Sequence, residues 1–217
     1  MKMREFLKHE RRNIIISLTA AVIVSAVFTL GAAVKIYADN VQQGISQKVV
    51  RLHILANSNS YEDQQLKIVV RNKVLKMMSE KVKNAGSKAE SIAILKDSMD
   101  DISLCAEKAL NEEGCSFDVN VSLEKTLFPA KSYGNIYLPS GYYDALRIEI
   151  GKAEGHNWWC VMYPSLCLYS ENNVEICDDE MRNILTSEEY SVVAGGEKPN
   201  IKFMAVEAVK GIESRFN

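Results

Sequence analysis

The side chains best suited to chemistry lie between Gly151 and Cys167, in the second half of the 217-residue chain. Cys160 follows His156 by four positions, and a cysteine nucleophile needs an imidazole base within hydrogen-bond reach. The two residues lie across the start of a predicted strand, where their side chains point in different directions. No glycine-rich turn or helix start at Cys160 would lower the pKa of its thiol. The residues therefore favour a non-enzymatic domain, and an exported cysteine hydrolase that acts on cell-envelope material, with Cys160 as nucleophile, is the alternative.

Other chemistries find less support in the sequence. It contains neither a C-x-x-C nor an H-E-x-x-H motif, and no glycine-rich phosphate-binding loop. The formal net charge is −2; the arm before the first apolar segment carries +3, from five basic and two acidic residues, so the remainder carries −5. Nucleic-acid binding depends on clustered Lys and Arg. We expect no metal, no cofactor, no small-molecule substrate and no nucleic-acid partner.

The two tryptophans of the chain are adjacent, at Trp158 and Trp159. They fall on a predicted strand, Asn157–Met162, which Pro164 ends. Neighbouring residues on a strand face opposite sides of a sheet, so one tryptophan belongs to the core and the other needs a second layer or a partner. This strand is the best candidate for a recognition surface.

A membrane-directed segment precedes everything else. Ile14–Val34 is a run of 21 uncharged residues that would span about 31 Å as a helix, close to the hydrocarbon thickness of a bilayer. Five basic residues before it predict a cytoplasmic amino terminus and an exported domain. The length favours an uncleaved anchor. A cleaved signal peptide, with its site near Gly31–Ala33 or after Tyr37, is the alternative.

All five cysteines follow this segment. In an exported domain some of them are expected to pair, and an odd number leaves at least one unpaired within the chain. Cys160 and Cys167 flank a proline-containing turn, so a disulfide between them would close a small loop and contribute about 2–3 kcal/mol. Two buried thiols are the alternative.

The hydrophobic pattern predicts an α+β domain in which two helices cover an antiparallel sheet. Ser60, with Glu62 and Asp63 behind it, is a predicted helix start. Gly114 is a predicted helix end. The predicted helices run from after Ser60 to about Lys83 and from Ile92 to Leu110. The predicted strands are Val49–Ala56, Phe117–Leu123, Lys131–Leu138, Tyr143–Ile150 and Asn157–Met162. Residues 187–200 read as a loop.

Several motifs in the order found here resemble the stage II sporulation protein R family of endospore-forming Firmicutes. They are Arg51-Leu52-His53, Ala56-Asn57-Ser58, Glu62-Asp63-Gln64 and Gly155-His156-Asn157-Trp158-Trp159-Cys160. The resemblance covers roughly residues 47–170 and implies a signalling protein made in the forespore and exported into the space between the two cells. There it would activate a membrane-embedded aspartic protease of the mother cell, which processes pro-sigma E. The resemblance carries over no catalytic residue.

The resulting domain plan has five parts. They are a basic cytoplasmic arm (1–13), a signal anchor or signal peptide (14–34), a tether (35–47), the α+β domain that resembles the family (48–170) and a divergent carboxy-terminal extension (171–217). We expect the protease to dock on the tryptophan strand and the neighbouring first strand. The candidate partner-binding residues are Arg51, His53, Asn57, Ser58, His156, Asn157, Trp158 and Trp159.

Overall fold

The computed structural model describes residues 2–164 and 174–194. Its first element is a long helix, α1 (Lys2–Ser46), which contains the whole predicted apolar segment. The large apolar side chains of that segment are exposed, and by length and composition the helix could cross a membrane. The predicted tether is helical as far as Ser46. The chain divides into two compact units, and the boundary between them lies within α1, between Asn40 and Val41.

The second unit is built on a four-stranded sheet. The strands of the described chain are β1 (Val50–Leu55), β2 (Val119–Phe128), β3 (Lys131–Tyr133), β4 (Ile136–Leu138), β5 (Gly141–Ile150) and β6 (Asn157–Tyr163). The main sheet has the order β2-β5-β1-β6, and β3 pairs with β4 in a separate hairpin. β1 runs parallel to β5 and antiparallel to β6, so that β1 is a central strand and β6 lies at one end of the order.

Helices cover one face of this sheet. The remaining helices are α2 (Tyr61–Lys83), α3 (Lys88–Asp97), α4 (Met99–Glu112), α5 (Val174–Ile184) and α6 (Ser187–Val193). Alternate residues of β1 and β5, such as Leu52 and Ile148, form a common buried core with Val74 of α2 and Ile102 of α4. The apolar residues that alternate along the strands therefore pack against the apolar stripe that repeats every 3.6 residues along the helices, as an α+β arrangement requires.

The predicted α+β class and the helices on a sheet face are confirmed. The strand pairing and the second helix differ from the prediction. The sheet is mixed rather than antiparallel, because β1 pairs with β5 in parallel and separates it from β6. The predicted second helix is two helices, because the chain bends at Ser98, which ends α3 and precedes α4.

The capping predictions are confirmed at the start of α2, where the side chain of Ser60 accepts a hydrogen bond from the backbone N–H of Asp63. The prediction of a loop from residue 187 is wrong for its first part. Thr186 and Glu189 form a capping box that starts α6. Glu189 also pairs with Lys48, just before β1. The single strand predicted over Lys131–Leu138 is instead the β3–β4 hairpin.

Candidate functional site

The two tryptophans lie on opposite faces of β6, as predicted. Trp158 packs against the helix-side core, with the guanidinium of Arg71 from α2 at 5.0 Å from its ring centroid. On the other face, Trp159 stacks on His53 at 3.8 Å between ring centroids and lies 4.6 Å from Phe128. Each indole is only partly buried. Both tryptophans therefore combine a packing role with a surface that solvent can reach.

Arg51 occupies the centre of the second face and is fully buried. Its guanidinium carbon lies 4.2 Å from the ring centroid of Phe128, 5.0 Å from that of Tyr143 and 5.6 Å from that of Tyr133. Nε donates to the carbonyl oxygen of Cys160 at 3.0 Å, and Nη2 donates to the Tyr133 hydroxyl at 2.7 Å. Aromatic faces stabilise a desolvated cation, so this arrangement joins β1 to β2, β3 and β5. Arg51 presents no surface to a partner in this conformation.

His53 is buried two residues further along β1, on the same face. Its Nε2 lies 2.7 Å from Asn157 Oδ1, which fixes the ring against Trp159. Burial lowers the pKa of His53 to about 4, although the hydrogen bond to Asn157 opposes the shift and the charge of Arg147 adds to it. The imidazole is therefore neutral near pH 7, and its ring stacks on the indole of Trp159.

Asn57 and Ser58 form a brace that ties the end of β1 to the start of α2 and to the β5–β6 turn. Asn57 Nδ2 donates to an oxygen of Asp63 at 2.8 Å, and Ser58 Oγ donates to the same oxygen at 2.6 Å. Asn57 Oδ1 accepts from the backbone N–H of Lys152 at 3.0 Å. A side chain at Gly155 would collide with the backbone of Ser58. The geometry gives Asn57 and Ser58 a structural role.

His156 and Asn157 are exposed at the start of β6, beside the tryptophans. The carbonyl oxygen of His156 accepts a hydrogen bond from the ammonium of Lys67 at 2.7 Å. Of the eight candidate partner-binding residues, those that solvent reaches at this end of β6 are His156, Asn157, Trp158 and Trp159. The other four have structural roles: Arg51 and His53 pack inside the domain, and Asn57 and Ser58 form the brace.

Sequence reasoning missed three residues that shape this site. Phe128 joins the aromatic cluster from the last position of β2, beyond the predicted end of that strand. Lys67 and Arg71 reach β6 from one face of α2. Their four-residue spacing predicts that they share a helix face, but no sequence pattern indicates that this face contacts β6.

Cys160 is buried and takes part in a disulfide. Cys167, its predicted partner, lies outside the described residues, so the pairing stays a prediction. Cys105 and Cys115 are free thiols. A sulfur held in a disulfide has no thiolate to act as a nucleophile, which removes the main residue of the hydrolase alternative.

Comparison with known proteins identifies the family. A family model described as stage II sporulation protein R matches residues 46–173, more than half of the chain. The chain belongs to the stage II sporulation protein R family. A protein named stage II sporulation protein R, from Bacillus subtilis (strain 168), is 37% identical over 136 residues, which are 63% of this chain and 61% of that protein. The matched part thus spans about three-fifths of this relative. No solved structure matches the chain.

Family membership supports a role in sporulation and locates the shared part of the molecule. The matched residues include the strands β1 to β6 of the described part of the chain and the helices α2 to α4. The apolar part of α1 precedes the match, and α5 and α6 follow it. The Arg51 cluster, the Asn57–Asp63 brace and the tryptophan strand all lie within the family region.

Proposed function

We propose that this protein is an exported intercellular signal of sporulation. In this proposal it activates a membrane-embedded aspartic protease of the mother cell, which then processes pro-sigma E. The family supports the sporulation role, and the protease and its substrate come from the resemblance described above. The observation that carries the proposal is the start of β6, where two partly exposed tryptophans lie beside exposed His156 and Asn157. Exposed aromatic residues held by a rigid scaffold are typical anchors of protein recognition.

In the proposed mechanism the domain acts by binding alone. It would prefer the active conformation or dimer of the protease and so shift its population, and a tenfold shift needs about 1.4 kcal/mol of differential affinity. Trp159 suits this role because His53 and Phe128 hold its indole in place before binding. A contact that is already ordered loses less conformational entropy when the partner arrives.

The apolar part of α1 indicates where the protein would act. We infer that residues 14–34 direct export from the forespore and that the second unit works outside the cytoplasm. The basic arm before the segment supports a cytoplasmic amino terminus. An uncleaved anchor would keep the signal tethered in the space between the cells, and a cleaved signal peptide would release it.

Processing of pro-sigma E in sporulating cells tests the proposal. We expect a strain without the protein to leave pro-sigma E unprocessed. Trp159→Ala should abolish most processing while the protein is still made and exported, as checked by immunoblot. Trp158→Ala is the companion variant, because its indole contributes more to the helix-side core. Normal processing in the strain without the protein would refute the signalling role. Full activity of both stable variants would refute docking through this strand.

A further inference from the structure

Two cations on α2 lie beside the tryptophan strand, and within the described residues their hydrogen-bond partners are neutral. Lys67 is almost fully buried, and its Nζ donates to Gln64 Oε1 and to the carbonyl oxygen of His156, each at 2.7 Å. Arg71 is partly exposed, and its Nε and Nη2 donate to Asn72 Oδ1 at 3.0 and 2.8 Å. Its guanidinium carbon lies 5.0 Å from the ring centroid of Trp158.

This pair lacks a counter-charge within residues 2–164 and 174–194. Several other cations of the same unit are paired with carboxylates, for example Lys73 with Glu112 and Lys88 with Asp144. Lys67 and Arg71 form no such ion pair in that part of the chain. Burial lowers the pKa of Lys67, and the charge of Arg71 lowers it further.

Such an arrangement does not help the fold. Like charges four residues apart on a helix destabilise it, and burial of a cation without a carboxylate adds to the cost. A local conflict of this kind in a well-packed domain is often associated with a functional site. Lys67 and Arg71 lie next to Trp158 and exposed His156, and therefore on the surface already proposed for docking.

We propose that the surface formed by Lys67, Arg71, Trp158 and His156 binds an acidic segment of the protein partner, with a carboxylate on the Arg71 guanidinium. Asn72 accepts one N–H each from Nε and Nη2, which leaves both N–H groups of Nη1 for the ligand. The Trp158 ring holds the guanidinium in place, and a bound carboxylate would also offset the repulsion between the two cations. This inference rests on the proposed function and adds the chemistry of the partner.

A protein carboxylate fits this surface better than a nucleic acid does. The site offers two cations in a chain whose formal net charge is −2, whereas nucleic-acid surfaces depend on many clustered cations. An adjacent indole provides apolar contact for the stem of an Asp or Glu side chain or for its neighbours. We therefore expect an acidic peptide segment of the partner to occupy this surface.

Charge reversal at Arg71 tests the idea in sporulating cells. We expect Arg71→Glu to reduce pro-sigma E processing by about tenfold, with the amount of exported protein unchanged. Lys76→Glu is the matched control, because Lys76 is an exposed cation on the same helix, and it should keep processing near the wild-type level. The Tm of Arg71→Glu should not fall, because the introduced carboxylate attracts the Lys67 ammonium, which the native guanidinium repels.

The outcomes separate this inference from the function on which it rests. If processing requires the protein but Arg71→Glu signals as well as Lys76→Glu, the acidic-partner inference is wrong and the signalling role stands. If processing does not require the protein at all, the proposed function fails first. A large fall in the Tm of Arg71→Glu would make Arg71 a structural residue and would also overturn the inference.

Binding by the full chain, reconstituted in phosphatidylcholine nanodiscs, gives a readout that does not depend on the cell. The probes are a deca-glutamate peptide, a deca-lysine peptide and phosphatidylglycerol vesicles. We expect the glutamate peptide alone to bind through Arg71, with an affinity that weakens as salt increases and is lost in Arg71→Glu. Arg71-dependent binding to the vesicles, or equal binding of both peptides, would overturn the choice of an acidic protein segment.

Discussion

His53 shows how one buried side chain links the stability of the domain to pH. Its pKa is about 4 in the folded chain and 6.5 when unperturbed, chiefly because burial disfavours the charged ring. Between these two values the unfolded chain binds a proton that the folded chain does not. The free energy of unfolding should therefore rise as pH increases from about 4 to about 6.5, by at most about 3 kcal/mol.

Urea denaturation across that pH range measures this dependence. His53→Gln should remove the His53 contribution and leave a flatter pH profile. His156→Gln is the control, because His156 is exposed beside β6, and it should keep the wild-type profile. If the profiles of wild type and His53→Gln are parallel, the ring is not held neutral by the fold.

At the same scale, the sequence predicted which residues share a face but not how deeply they are buried. Alternation on β6 correctly separated Trp158 from Trp159. Arg51 and His53 are alternate residues of β1 and were predicted to bind a partner, yet both are buried. The cover comes from Phe128, Tyr133 and Tyr143, which are remote in sequence, and periodicity within one strand carries no information about such contacts.

Among the elements, the brace between β1, α2 and the β5–β6 turn carries a clear prediction. Asp63 accepts from both Asn57 and Ser58, so Asp63→Ala would leave two buried or partly buried donors without their acceptor. We expect a loss of about 2 kcal/mol in the free energy of unfolding, measured in urea. Glu62→Ala is the adjacent control. Because Glu62 is exposed, it should cost about 0.5 kcal/mol or less.

This comparison also distinguishes the structural role of Asn57 and Ser58 from a direct role in docking. If the brace is structural, Asn57→Ala should lower stability together with signalling, in the same proportion as Asp63→Ala. A variant that keeps full stability and loses signalling would return Asn57 to the partner-binding surface.

The elements themselves were largely predictable, whereas their pairing was not. Periodicity and caps placed α2, β1, β5 and β6 within a few residues of their observed bounds. β5 and β6 follow one another in the chain, but β1 lies between them in the sheet. Its placement depends on contacts between residues about a hundred positions apart, such as Ile54 with Ile148. Local patterns cannot specify such long-range register.

For the whole molecule, the proposed signalling role requires that the apolar helix deliver the domain across a membrane. Val24 lies in the middle of the uncharged run, and its side chain is exposed on α1. Placing arginine there should cost insertion about 3 kcal/mol. We expect Val24→Arg to leave the membrane fraction after carbonate extraction and to lose pro-sigma E processing.

Ile36→Arg is the matched control, because Ile36 is also exposed on α1 but follows the uncharged run. It should keep both membrane extraction behaviour and processing. The intact mass of the extracted wild-type chain then shows whether residues 14–34 remain, which separates an anchor from a signal peptide. Retention of Val24→Arg in the membrane fraction with normal processing would mean that residues 14–34 are not the exporting segment. In that case the tryptophan surface could not reach its partner by the route proposed here.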